Sequence, residues 1–77
     1  MQQHSQIAMD LLVAKIQSRD ANIRANAYEF IGYMIEVPDC RKRAVALLEV
    51  AEKTEGLAIQ NTVRPFLNKV CSSPASR

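Results

Sequence analysis

Apolar residues recur along this chain at helical spacing. Ile23, Ala27, Phe30, Ile31 and Met34 stand at i, i+4, i+7, i+8 and i+11, which places them on one helix face. Ile59, Val63, Phe66, Leu67 and Val70 repeat that spacing unchanged, and Ala44, Leu47, Leu48 and Ala51 give i, i+3, i+4, i+7 between them. Ala8, Leu11 and Leu12 begin the same pattern near the N-terminus. No segment alternates apolar and polar residues for long, so strands are not expected. The pattern predicts an all-α chain of four helices.

Turn chemistry places their ends. Ser5 is expected to cap a first helix over about residues 6–18, its hydroxyl accepting an orphan backbone N–H. Asp20 or Asn22 caps a second, which Val37-Pro38 stops near Glu36 because the residue before proline leaves the α region. Asp39 is expected to cap a third helix over about 40–54, where its carboxylate suits the positive helix end. Gly56 closes it as a residue free to turn left-handed, and a fourth helix follows over about 57–71. Pro65 lies inside that helix and is expected to kink it near Asn61, since the apolar spacing runs through the proline unbroken. Residues 72–77 lack an apolar face and read as a loose tail.

Sliding the chain by 36 residues sets residues 7–34 over 43–70, so that Leu11-Leu12 meets Leu47-Leu48, Ile23 meets Ile59 and Phe30-Ile31 meets Phe66-Leu67. Each copy reads as helix, short turn, helix, one over about 6–37 and the other over about 39–71. The run Asp20-Ala21-Asn22-Ile23-Arg24-Ala25-Asn26-Ala27 with Phe30-Ile31-Gly32 resembles the turn and second helix of a HEAT repeat. The second copy departs from that pattern, with Gln60 in place of the arginine and Asn68 in place of the glycine. The resemblance implies two stacked antiparallel helix hairpins, an α-α superhelix fragment. Read on physics alone, Asp20 caps the second helix and can pair with Arg24 one turn on, while Ala27 and Gly32 lack bulk and let another helix approach.

Composition narrows the functional classes. Seventy-seven residues, 48% of them hydrophobic and 23% charged, make one small globular domain. A net charge of +2 implies neither a nucleic-acid nor a membrane partner by itself. No apolar run approaches the ~20 residues of a membrane span, and residues 1–6 carry no basic start followed by an apolar stretch. Cys40 and Cys71 stand alone, without the paired spacing of a metal site or the cysteine density of a disulfide scaffold, which suits reduced thiols and a cytoplasmic location. His4 is the sole histidine and has no nucleophile beside it, and there is no Gly-rich phosphate loop. No catalytic residue, metal or cofactor is expected. The initiating Met1 and the polar end read as those of a complete chain.

Interaction is the remaining class. Met9, Val13 and Ile16 form a second apolar row on the first helix, and Tyr28 and Ile35 another on the second, with Gly32 between them. Helices of a stacked array need two apolar faces, and two repeats leave the outer ones without a neighbour. These rows read either as the inside of a compact bundle or as an exposed patch. The second reading gives a protein-interaction module that self-associates, by default as a two-fold homodimer. Arg41-Lys42-Arg43 opens the third helix, where cations are disfavoured; it reads first as solvated surface charge and, if it has a function, as a basic rim for an acidic protein. The alternative is a small protein binding nucleic-acid backbones through 41–43, and a further one a helical chaperone or immunity-type bundle for one cognate protein.

Overall fold

A computed structural model describes residues 2–71, with side chains from 4 to 70. The chain forms α1 (Gln2–Lys15), α2 (Ala21–Tyr33), a 3₁₀ turn (Met34–Glu36), α3 (Pro38–Thr54) and α4 (Leu57–Cys71), with no strand among the described residues. The all-α expectation holds. Several helix ends differ from those expected, each for a local reason.

α1 begins at Gln2, so Ser5 lies inside the helix and does not cap it. It stops at Lys15, where Gln17 and Ser18 donate their N–H groups to the carbonyls of Ala14 and Lys15 in a tightened turn. Asp20 caps α2 as expected, its Oδ1 accepting from the Asn22 N–H at 2.9 Å. α2 yields to the 3₁₀ turn, and Val37 is extended (φ −91°, ψ 113°) before the proline. Pro38, not Asp39, opens α3, since a first-turn residue has no intrahelical N–H bond to lose. Val37 therefore holds the capping position without a side-chain bond, and Asp39 moves into the first turn. Gly56 takes no left-handed conformation, as no described residue has a positive φ. Glu55 is extended instead (φ −94°, ψ 165°), and the Gly56 carbonyl accepts from the Gln60 N–H to start α4. α4 runs as one helix through Pro65, on the exposed side it shares with Asn61, whose carbonyl loses its partner where water is at hand.

The helices stand two by two. α1 packs on α2 and α3, α4 packs on α2 and α3, and α2 meets α3 across the short diagonal. The 14 Å short axis of the 35 × 29 × 14 Å body is that of two helix layers, about 10 Å between axes plus a Cα radius of about 2.3 Å on each side. Met9, Tyr28, Ile31, Ile35, Cys40, Ala44, Leu48, Ala51, Ile59, Val63 and Leu67 make one core.

α2 touches all three other helices, so its buried arc is wide: Ala27, Tyr28, Ile31 and Gly32 all lie within it. That arc is turned from the stripe read in the sequence, and Ile23 and Phe30 come to lie outside it. Gly32 is where α4 approaches most closely. A Cβ there would stand 2.6 Å from Phe66 Cγ and closer still to the ring edge, so only glycine fits beneath that ring.

Candidate functional site: the outer face of α1 and α2

The residues expected to meet a partner lie mostly inward. Met9 is 0% exposed, Tyr28 5% and Ile35 7%, all within the core. Ile16 is partly buried against that core and Val13 is half-buried. These five form no open patch. α1 is apolar on two adjoining stripes, and its position between α2 and α3 selects the stripe through Met9. Gln6 and Asp10, flanking that stripe, bond to α3: Gln6 Nε2 donates to the Asp39 carbonyl at 3.1 Å.

The basic run is drawn into the same junction. Arg43 donates to Gln6 Oε1 at 3.1 Å and to Asp10 Oδ1 at 2.8 Å. Arg41 Nε donates to the Ile35 carbonyl at 2.9 Å, half-buried over the 3₁₀ turn. Lys42 is exposed. Two of the three cations thus have a structural reason for standing at a positive helix end: they tie that end to its neighbours.

The residues displaced from the core make a different surface. Ile7 and Leu11 stand one turn apart on the outside of α1, and Ile23 and Phe30 two turns apart on the outside of the adjoining α2. Leu11 is 61% and Phe30 56% exposed. An aromatic row fixes one edge. Phe30 and Tyr33 meet edge to face with centroids 6.2 Å apart, and Tyr33 meets Phe66 at 5.5 Å and 86°. Phe66 is itself seated on Gly32, so the row is anchored to the fold. Tyr33 Oη donates to Glu29 Oε2 at 3.1 Å, and that hydrogen bond, with the carboxylate's charge, raises the tyrosine pKa from 10.0. The sequence held the signal for this face, but the helical spacing of Ile23 and Phe30 is equally that of a buried stripe.

Beneath the face a half-buried ion pair joins the two inter-helix turns. Arg24 Nε donates to both Glu55 carboxylate oxygens, at 3.3 and 3.1 Å. Its Nη1 donates to the carbonyls of Ser18 and Arg19, each at 2.9 Å. Arg24 therefore turns from Asp20, its expected partner, and from α2 ties the α1–α2 turn to the α3–α4 turn. Gln60 Nε2 donates to the Glu55 carbonyl at 2.9 Å and adds α4 to the junction. Nearby, burial raises the Tyr28 pKa, Glu55 raises it further and Arg24 opposes.

Among the described residues no three His, Cys, Asp or Glu side chains gather as a metal site, and no helix is long and apolar enough to cross a membrane. Cys40 is a buried free thiol, 3.9 Å from Gln6 Nε2. No family model, no curated protein and no solved structure matches this chain.

Proposed function

We propose that this domain is a non-enzymatic protein-interaction module whose docking surface is the outer face of α1 and α2, with Ile7, Leu11, Ile23 and Phe30 at its centre and Tyr33 on its rim. One observation carries this reading: four large apolar side chains stand exposed on two adjoining helices. Covering the exposed half of such a side chain is worth about 1 kcal/mol each, enough for a few anchors together to sustain binding. Val50 on α3 and Leu57 at the start of α4 are also exposed, but on other helices. The internal bonds of Arg41 and Arg43 weaken the case for a nucleic-acid backbone, which would compete with the Ile35 carbonyl and Asp10 for them. A buried free thiol at Cys40 suits a reducing compartment such as the cytoplasm.

Capture from a native extract tests the face. The immobilised domain is expected to retain protein, and Phe30→Glu or Leu11→Glu to lose that capture while keeping helicity and melting temperature. Val50→Glu, on another helix, should capture as the native chain does. Undiminished capture by both face variants would refute the reading. So would salt-sensitive retention of nucleic acid alone.

A further inference from the structure

We infer that α1 is a lid: it lifts from α2 and α3 as a unit while the other three helices stay folded, and lifting uncovers the Cys40 thiol. α1 and α4 are the two outer helices, each packed on α2 and α3. They are anchored unequally. α4 sets Ile59, Val63 and Leu67 into the core over three successive turns and lays Phe66 on Gly32. Of the described side chains of α1, only Met9 is fully buried, with Leu12 and Val13 half-buried beside it. α2, α3 and α4 also pack on one another in all three pairings, so they form a closed body without α1.

The other ties from α1 to α3 are polar and stand at the surface. Gln6 Nε2 donates to the Asp39 carbonyl, and Arg43 donates to Gln6 Oε1 and Asp10 Oδ1. The Arg43 and Asp10 side chains are 41% and 66% exposed, and an ion pair so placed contributes little against water. The pivot, in contrast, is fixed. Just beyond the tightened turn that ends α1, Arg24 holds the carbonyls of Ser18 and Arg19. α1 can therefore swing about Ile16 and Gln17 while the junction at Arg24 and Glu55 stays intact. A segment with few buried side chains and exposed polar ties is where local opening costs least. Cys40, 0% exposed on α3, lies 3.9 Å from Gln6 Nε2 and loses that cover when α1 lifts. Lifting also parts Ile7 and Leu11 from Ile23 and Phe30, so a partner spanning both helices would select the docked state. Only this last consequence rests on the docking face proposed above.

Native-state hydrogen exchange of the full chain across low urea concentrations tests this, together with thiol modification read by peptide mass, which separates Cys40 from Cys71. The amides of Leu11, Leu12 and Val13 should be at least about tenfold less protected than those in the middle of α4. Their exchange should also depend less steeply on urea, because a partial opening exposes less surface. Cys40 should be modified in step with the α1 amides. Met9→Ala should raise both rates about thirtyfold or more with helicity kept, since it removes the one deep anchor of α1. Arg43→Gln, which removes two of the surface ties, serves if Met9→Ala fails to fold and should raise both rates several-fold. A single protection level and urea slope for α1 and α4 would overturn the lid. So would a Cys40 that reacts only as the whole chain unfolds.

Discussion

A methyl group at residue 32 has nowhere to go, because Phe66 Cγ would lie 2.6 Å from it. Alanine ordinarily gains about 1 kcal/mol over glycine inside a helix, but overpacking costs about 1–3 kcal/mol. Gly32→Ala is therefore expected to lower stability by up to about 2 kcal/mol in urea unfolding, and Phe66→Leu in the same chain to restore part of it. An unchanged midpoint would mean the ring yields freely. Tyr28 gives a test against pH. Its folded-state pKa lies above the ordinary 10.0, raised first by burial and then by Glu55. Its contribution is thus full below pH 10 and is lost as pH rises through the folded pKa, because the unfolded chain ionises first. Unfolding midpoints should fall above about pH 10, and less steeply in Tyr28→Phe, which removes the titrating group. Equal slopes in the two chains would remove Tyr28 from the account. The small size of Gly32 was legible in the sequence as room for a neighbouring helix. That the neighbour is α4, and the atom above it Phe66, depends on long-range packing that no local pattern encodes.

Each helix hairpin is held to the other by charge as well as by apolar packing, and Arg24 is the clearest case. Four of its hydrogen bonds reach Glu55 and the carbonyls of Ser18 and Arg19 from a half-buried position. Arg24→Met should cost about 2 kcal/mol, leaving the carboxylate and two carbonyls without that donor. Adding Glu55→Met should recover part of the loss, since removing both members of a buried pair costs less than removing one. A double variant that unfolds at the sum of the single losses would show that the two do not act together. The start of α2, the stop before Pro38 and the helical character of all four elements were readable from Asp20, Pro38 and the apolar spacing, whereas the change to a 3₁₀ turn after Tyr33 was not. The start of α3 was not, because Pro38 and Asp39 are both good openers and the proline reached the position first. Which stripe of α1 is buried was also out of reach. Met9 and Leu11 are nearly equivalent by pattern, and the bonds that Gln6 and Asp10 form with α3 decide between them.

At the scale of the molecule, the two-layer body covers one end of its helix pairs and leaves the other apolar. The sequence announced an all-α fold and a surplus of apolar residues on the first two helices. It assigned that surplus to Met9, Val13, Ile16, Tyr28 and Ile35, whereas Met9, Tyr28 and Ile35 are buried and Ile7, Leu11, Ile23 and Phe30 face outward. On α2 the cause is that it packs on three helices, and a pattern one face wide cannot express a buried arc that broad. The basic run is explained differently: Arg43 finds its partners on α1, remote in sequence, and Arg41 turns back to the 3₁₀ turn just before its own helix. The most direct measurement is methyl-resolved NMR of the domain before and after addition of a protein captured from native extract, in which each isoleucine, leucine and valine reports its own surroundings. The methyl signals of Ile7, Leu11 and Ile23 should shift together as the partner is added, while those of Val50 and Leu57 on other helices stay fixed. Unchanged signals at the first three, or shifts confined to Val50 and Leu57, would contradict the proposal that the outer face of α1 and α2 is a docking surface.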